Sequence, residues 1–449
     1  MSEAIQMIVE GLVVVGCIFM GVRGGGIALG IFGGMGTAVL VFVFGLPPGS
    51  PPVDALLIIL SVVLAASAME AAGGIRWLVS VATRIIRAHP SRVTIVAPLV
   101  SFAFSMGAGT SNIFYPLIPV IYETAYENGI RPERPLSASV VAASSGVVCS
   151  PVSAAMAVMI TLVGTEQYGL ELPQILAIVV PASLLGVLAC SVAVRRRGKE
   201  LTDDPEVQRR IAEGELARPQ GTAATEADPL APLGRPSALI FLGGIGFVVL
   251  VGLFDGLRPQ IPTADGGSEP VSMSTVIQMV MLTVAVLIVV LRKVKPADLA
   301  KQDVFSAGIT ALIALFGVAW LADTYVSAHL ELITSTLSEA VEDHPITFAL
   351  ALAIVAALTT SQSAATKAIV PIGLAIGLPA TAVTGMWVAC GATVILPTTG
   401  PQIASVQFDH TGTTRIGQAV INHSFLFPML VYCAVAIPAG LAISQVVPF

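Results

Sequence analysis

Charged residues are scarce in this sequence. They make up 11% of its 449 residues, whereas 55% are hydrophobic and the mean hydropathy is +0.88. Soluble globular domains carry about 25% charged residues, so a soluble enzyme is excluded. The few charges crowd into short segments between apolar stretches, and about 20 apolar helical residues suffice to cross a bilayer. Most of the chain is therefore predicted to lie in lipid.

The sequence also lacks the motifs that carry catalysis or hold metals. Its five cysteines all fall inside apolar segments without CxxC spacing and are interpreted as packing residues. HExxH, GxSxG and Walker A patterns are absent, which leaves no candidate catalytic residues. We therefore expect no enzyme activity, no cofactor, no metal site and no nucleic-acid partner. The N-terminus has no basic region or signal cleavage site, so its first apolar run is predicted to be a span.

The apolar stretches predict an all-α polytopic membrane protein with ten spans. They lie near residues 4–20, 24–45, 54–72, 136–163, 171–194, 237–254, 273–291, 304–322, 379–408 and 421–446. Two further apolar stretches, 93–122 and 346–378, are too long for one span and are interrupted by small polar residues near their middles. Each is predicted to form a re-entrant hairpin.

The distribution of basic residues predicts the orientation of these spans, because Lys and Arg in short loops mark the cytoplasmic side. With both hairpins re-entrant, all the basic loops fall on one side of the membrane. The polar stretch 195–236, which opens with RRRGKE, is predicted to be a solvated cytoplasmic linker,. Both termini are then predicted to be extracytoplasmic.

This topology gives the two halves of the chain opposite orientations. Residues 1–194 and 237–449 each run through three spans, an interfacial segment, a hairpin and two further spans. The pattern predicts an inverted repeat, which is the common plan of secondary carriers.

Small polar residues break the apolar sequence at matching places in both halves. The hairpins contain SMGAGTSNIFYPLIP and LTTSQSAATKAIVPIG, and the spans 136–163 and 379–408 contain ASSGVVCSPVSAAM and GATVILPTTGPQIASV. An unwound backbone is tolerated at membrane depth only where it is buried or lines a watery cavity. Half-helices that start there direct partly positive N-termini and hydroxyl groups toward one point. The breaks therefore predict a binding site for a small anion.

Lys367 is the one ionisable residue predicted to lie on a hairpin arm near these breaks. Ionisable groups at membrane depth are costly and usually functional. Its ammonium is predicted to pair with a substrate carboxylate; the alternative is a lysine that snorkels to the interface. Asp323 and Glu70 end corresponding spans of the two halves and are expected to be interfacial.

Several stretches resemble one known family, the anaerobic C4-dicarboxylate transporters of the Dcu family. They are GVRGGGIALGIFGGMG, VFGLPPGSPPVDALLII, GIRPERPLSASVVAAS with SPVSAAM, ATKAIVPIGLAIGLP and VQFDHTGTTRIGQAVINHSF. The resemblance covers nearly the whole chain outside the linker. It implies a homodimeric elevator-type carrier of the bacterial cytoplasmic membrane that transports fumarate, succinate, malate or aspartate, commonly by exchange.

The resemblance and the breaks together indicate the substrate-binding residues. Those that match family motifs are Gly109, Thr110, Ser150, Pro151, Ser153, Thr366, Lys367, Pro397 and Thr398. The polar breaks add Ser111, Asn112, Ser363 and Thr399. Two alternatives remain open: a sodium- or proton-coupled symporter of another small organic anion, and a dicarboxylate-binding channel or receptor.

Overall fold

The computed structural model is almost entirely helical. It describes residues 3–24, 27–51, 53–165, 167–216, 230–262, 268–329, 346–397, 399–416 and 422–447. The helices before residue 217 are α1 (Glu3–Gly24), α2 (Ala28–Phe42), α3 (Val53–Ala71), α4 (Gly74–Ala88), α5 (Val93–Ala108), α6 (Leu117–Glu127), α7 (Glu133–Val148), α8 (Ala154–Val163), α9 (Leu172–Val194) and α10 (Pro205–Ala212).

The elements after residue 229 are again mostly helical. The helices are α11 (Arg235–Leu253), α12 (Met273–Arg292), α13 (Pro296–Leu299), α14 (Asp303–Ala328), α15 (Ile346–Thr359), α16 (Gln362–Ala375), α17 (Ala380–Met386), α18 (Gly400–Phe408) and α19 (Leu426–Ser444). A 3-10 stretch, Trp387–Val394, continues α17. The short strands β1 (Gln260–Pro262) and β2 (Ser268–Pro270) pair antiparallel between α11 and α12.

Several helices are suited to a membrane. Among the described residues, six are long and apolar enough to cross one: Pro90–Ala108, Leu172–Val194, Ala231–Leu253, Met273–Arg292, Asp303–Tyr325 and Leu426–Ser444. A pair bent by 75°, Leu56–Ala71 with Gly74–Ala88, makes a seventh when counted as one span. The remaining predicted spans are shorter or broken helices, so the count of ten spans stays a prediction. The length of Pro90–Ala108 equally leaves the first re-entrant hairpin a prediction.

The helices of the two halves interleave in a reciprocal pattern. Helix α2 packs along α14, and α3 packs along α12. Glu70, near the end of α3, accepts a hydrogen bond from the backbone N–H of Val304 at the start of α14 (3.0 Å). Asp323, near the end of α14, accepts one from the N–H of Ser50 just before α3 (2.8 Å). Each half therefore satisfies exposed backbone groups of the other.

Helices α2 and α14 touch backbone to backbone at glycines. A Cβ atom at Gly33 would lie 2.4 Å from the backbone carbon of Gly317, and one at Gly317 would lie 1.8 Å from the carbonyl oxygen of Gly30. Small residues allow membrane helices to approach this closely, and the association then rests on dense van der Waals contact. No larger side chain fits here without moving a helix.

The segment after α9 is held against the start of α7 by ion pairs. Arg131 donates to Asp204 (2.7 Å) and to Glu133 (2.9 Å), and Arg134 donates to Glu200 (2.9 Å). Burial alone would raise the pKa of Asp204, but hydrogen bonding from Arg131 holds it below its ordinary value. The Asp204 pair is therefore present at and above the usual titration range of aspartate, and it is lost as the pH falls through the lowered pKa.

The same segment also buries apolar side chains. Leu201, Val207 and Leu216 lie in a buried cluster with Tyr126 of α6. The described beginning of the predicted linker is thus less solvated than its composition indicated, because a few apolar residues on the short helix α10 face the bundle. Residues 217–229 of the linker lie outside the described part of the chain.

Replacing Gly33 with Ala should lower the melting temperature of the purified protein, because the added methyl group meets the backbone of α14. Overpacking of this kind costs about 1–3 kcal/mol. Gly34→Ala is the matched control, since a Cβ there meets nothing within 4 Å. Thermal unfolding in detergent measures both variants. Equal melting temperatures for Gly33→Ala and Gly34→Ala would contradict the close contact between α2 and α14.

Replacing Asp204 with Asn should speed tryptic cleavage at Arg209 and Arg210 several-fold, because it removes the one ion pair by which Arg131 holds the segment after α9,. Asp203→Asn is the control, since the side chain of Asp203 contacts only Thr202 within the described region. The ratio of the cleavage rates of the two variants should be the same from pH 5 to 8, because Asp204 stays ionised there. Cleavage rates followed by gel electrophoresis test this, and an identical rate for both variants would show that the ion pair does not hold the segment.

Candidate functional site

Both helical hairpins turn at small polar residues. In the first, α5 ends at Ala108, and Gly109 continues the backbone with φ +71°, a conformation that glycine adopts without strain,. In the second, Thr360 has φ +51° and Ser361 caps α16 by accepting a hydrogen bond from the N–H of Ala364 (3.3 Å). A threonine at positive φ is uncommon and is held there only by its surroundings.

The two broken spans restart at capped helices. Ser153 caps α8 by accepting a hydrogen bond from the N–H of Met156 (3.1 Å). Thr399 precedes α18 and forms a reciprocal capping box with Gln402, whose Oε1 accepts from the N–H of Thr399 (3.1 Å). These caps fix the start of each new helix. They thereby fix the direction of the backbone N–H groups in its first turn that have no intrahelical acceptor.

The tips and breaks meet at one cavity of about 430 Å³. This central cavity has walls from both hairpin tips and both broken spans. Its lining residues are Gly109, Thr110, Ser111, Tyr115, Val140, Ser144, Val147, Ala154, Ala155, Thr360, Ser361, Gln362, Ser363, Thr393, Val394, Thr399, Gly400 and Pro401. Such a volume falls within the range of about 300–1,000 Å³ that is usual for small-molecule sites.

Three helices begin at the wall of the central cavity. The first residues of α8, α16 and α18 all line it. A helix N-terminus carries roughly half a positive charge, which favours an anion at that point. Asp, Glu, Lys and Arg are all missing from the lining residues that the structure describes. The cavity is therefore electropositive through backbone dipoles and hydroxyl groups rather than through charged side chains.

Hydrogen bonds join the two halves across the central cavity. Gln362 donates through Nε2 to the carbonyl oxygen of Ser144 (2.7 Å) and to its hydroxyl (3.2 Å). The Ser144 hydroxyl also bonds the carbonyl oxygen of Gly391 (2.9 Å) and the hydroxyl of Thr393 (2.8 Å). The second hairpin tip is thereby fixed to the broken spans of both halves.

The structure brings some of the sequence-predicted residues together at the central cavity and places others behind it. Gly109, Thr110, Ser111, Ser363 and Thr399 line the cavity, whereas Ser150, Pro151, Ser153, Thr366 and Pro397 do not. Thr398 and the side chain of Asn112 lie outside the described part of the structure.

The residues behind the cavity support its wall. Thr366 is buried, donates to the carbonyl oxygen of Gln362 (2.6 Å) and accepts from the indole N–H of Trp387 (2.7 Å). Ser150 is also buried and accepts from the N–H of Val152 (3.3 Å) within the first break. Both side chains stabilise the cavity wall without facing the cavity.

Lys367 lies away from the central cavity. Its ammonium is 3.8 Å from a carboxylate oxygen of Asp323 on α14, and both residues line a separate cavity. In this conformation Lys367 therefore faces α14, and its role as the substrate's charge partner stays a prediction. The periodicity of a helix arm alone does not determine which neighbour a side chain meets.

Some cavity-lining residues were missed from the sequence. They are Tyr115, Val140, Ser144, Val147, Ala154, Ala155, Thr360, Ser361, Gln362, Thr393, Val394, Gly400 and Pro401. Most belong to the polar stretches already recognised as breaks, so a broader reading of those stretches would have included them. Val140 is different, because it lies outside those stretches. Tyr115 lies inside one of them, but its contact depends on packing: a Cβ at Gly400 would lie 1.9 Å from its hydroxyl.

Metal-binding geometry does not occur within the described residues, where no group of three His, Cys, Asp or Glu side chains is placed to hold an ion.

The sequence matches known proteins over almost its full length. A family model described as "Anaerobic c4-dicarboxylate membrane transporter" matches residues 6–448. The anaerobic C4-dicarboxylate transporter DcuB of Escherichia coli O6:H1 is 41% identical over 434 residues, which cover 96% of each chain. The C4-dicarboxylate transporter DcuA of Wolinella succinogenes is 36% identical and covers 98% of this chain and 100% of its own.

Two solved structures have a similar fold. The YdaH transporter of Alcanivorax borkumensis superposes with a TM-score of 0.58 at 14% identity, covering 92% of this chain and 88% of its own. MtrF of Neisseria gonorrhoeae gives a TM-score of 0.50 at 14% identity, with coverage of 92% and 84%. At this identity the likeness concerns the fold alone.

Proposed function

The chain belongs to the anaerobic C4-dicarboxylate membrane transporter family, and from this premise we propose that its central cavity carries a C4-dicarboxylate across the bacterial inner membrane. It is a secondary transporter and a multi-pass membrane protein, not an enzyme. The substrates proposed are fumarate, succinate, malate and aspartate.

One observation carries this proposal: three helix N-termini and both hairpin tips meet at a cavity without charged side chains. A dicarboxylate presents an anionic group at each end and needs donors on more than one side. Helix ends and hydroxyl groups in the two halves supply such donors at a low local dielectric, where each is stronger than in water. Gly109, Thr110, Ser111, Ser363 and Thr399 are proposed to contact the substrate directly. Ser150, Pro151, Ser153, Thr366 and Pro397 support them, and Asn112 and Thr398 remain proposed contacts on sequence grounds.

Transport by exchange is proposed because reorienting the unoccupied site across the bilayer costs free energy. Backbone N–H groups and hydroxyls that face the cavity are satisfied by water or by an anion when it is open. Moving them through the bilayer without a ligand would leave them unpaired, which is costly in an apolar medium. A bound dicarboxylate satisfies them, so reorientation is favoured only when the site is occupied.

The proposed movement is that of an elevator in a homodimer. Hairpins α5–α6 and α15–α16, the broken spans, and α9 and α19 form the proposed transport unit around the central cavity. Helices α1–α3, α11, α12 and α14 form the proposed scaffold. Lys367 on α16 and Asp323 on α14 face each other across this boundary, and we assign to the pair the role of holding the described conformation.

The inverted repeat is supported by the reciprocal contacts of α2 with α14 and of α3 with α12. The backbone hydrogen bonds of Glu70 and Asp323 repeat the same relation. With an inverted repeat, the two hairpins are proposed to enter from opposite faces. The basic residues in the short loops then favour a cytoplasmic linker and extracytoplasmic termini.

Proteoliposomes preloaded with unlabelled succinate should accumulate labelled succinate transiently, because exchange returns an occupied site on each half-cycle. Fumarate, malate and aspartate should compete. Liposomes without internal dicarboxylate should show little uptake, with or without an inward sodium or proton gradient. Uptake into empty liposomes driven by either gradient would instead identify a coupled symporter. Conduction of current without counterflow would identify a channel.

Replacing Ser363 with Asp should reduce succinate exchange at least a hundredfold, because it places a negative charge beside the substrate. Two like charges about 4 Å apart repel by about 4 kcal/mol at an effective dielectric of about 20. In the control Ser363→Asn, the new side chain is nearly the same size as Asp but carries no charge. This variant should retain measurable exchange with a raised KM. Counterflow of both variants at pH 7 tests this, and equal activity would place the substrate elsewhere.

A further inference from the structure

A second cavity lies apart from the central one, at the face that carries the basic loops. It has a volume of about 710 Å³ and is bounded by the bend between α3 and α4, the turn before α11, the end of α12 and helix α13. Its lining side chains include five basic and two acidic residues: Arg76, Arg292, Lys293, Lys295, Lys301, Glu70 and Asp298. We name it the basic cavity.

The two acidic residues do not neutralise the basic cavity. Asp298 pairs with Lys301, whose ammonium lies 2.8 Å from its carboxylate. Glu70 is engaged with the backbone N–H of Val304 (3.0 Å). In the part of the chain that the structure describes, Arg76 and Lys295 have no ion pair. Their positive charges therefore remain available to a ligand.

Arg292 is held in place at the edge of the basic cavity and still has a free donor. Its Nη2 donates to the carbonyl oxygen of Leu233 (2.6 Å), which fixes the guanidinium plane. Its Nε is buried and has no hydrogen-bond partner among the described residues. Lys293, the next residue, is exposed and adopts a left-handed backbone conformation (φ +53°) that ends α12 there. A planar, partly satisfied guanidinium beside free ammonium groups suits a phosphate oxygen.

Apolar side chains border the basic cavity on its other side. Leu230 and Leu233, which line it, are 52% and 60% exposed. Val290 and Leu291, just before Arg292, are 65% and 62% exposed. We expect such side chains at the end of a long apolar helix to meet acyl chains, because that helix is suited to a membrane,. The charged and apolar surfaces meet at one boundary, as the headgroup and chains of a phospholipid do.

We propose that the basic cavity binds the phosphate headgroup of an anionic membrane lipid. Basic pockets between membrane helices on the cytoplasmic side are suited to such headgroups. The bound phosphate would contact α4, α12 and the turn before α13. These elements flank α3 and α14, so the lipid would stiffen the proposed scaffold without touching the substrate cavity.

Native mass spectrometry of the purified full-length protein tests the proposal, with phosphatidylglycerol and phosphatidylcholine offered separately. Phosphatidylglycerol should be retained more strongly. In Arg76→Gln/Lys295→Gln its affinity should fall about fivefold for each charge removed, hence on the order of 25-fold. Arg84→Gln/Arg92→Gln is the matched control, since both arginines are exposed, carry no ion pair in the described structure and lie outside the cavity.

Three outcomes would overturn the proposal. An equal loss in the control variant would indicate diffuse surface charge rather than a site. Retention of phosphatidylcholine as strong as that of phosphatidylglycerol would exclude recognition of the anionic headgroup. Displacement of the lipid by millimolar inorganic phosphate or succinate would assign the cavity to a soluble anion. Succinate counterflow measured on the same variants checks folding, because neither pair of substitutions touches the central cavity.

Discussion

The structure depends on one constraint: every backbone polar group at membrane depth must have a partner. An unbroken helix meets it internally, but the starts of α8, α16 and α18 leave N–H groups without intrahelical acceptors. The structure collects these three helix ends at one cavity and surrounds them with buried side chains. These three helix breaks thus share a single place, where an anion can accept hydrogen bonds from their free N–H groups.

That arrangement holds together only because both halves of the chain contribute to it. Gln362 of the second half bonds Ser144 of the first at the cavity. Away from the cavity, Glu70 and Asp323 each accept a backbone hydrogen bond from the other half. The glycine contact between α2 and α14 brings the halves close enough for these bonds to form. Neither half alone would enclose the site.

The sequence predicted the helices and the breaks well, since both leave a strong local signal. The break between Val148 and Ala154 falls inside the predicted broken span, and α16 starts within the predicted hairpin tip. The neighbours of each side chain could not be predicted in this way, because they depend on how a helix is rotated against its partners. Lys367 shows this: its position in the sequence indicated the substrate, whereas its position in the fold places it against Asp323. Val140 also lines the cavity, although it lies outside the polar stretches and carried no local signal.

Binding of one anion between the two hairpin tips is the premise of the proposed transport. It is tested most directly by substrate protection of single cysteines at Ser111 and Ser363, each introduced separately with Cys433 replaced by Ala, because the other four native cysteines are buried. Labelling with a water-soluble thiol reagent is timed with and without succinate. We expect succinate to slow labelling at both positions, whereas the monocarboxylate butyrate at the same concentration should not. Protection at only one hairpin, or at neither, would contradict it.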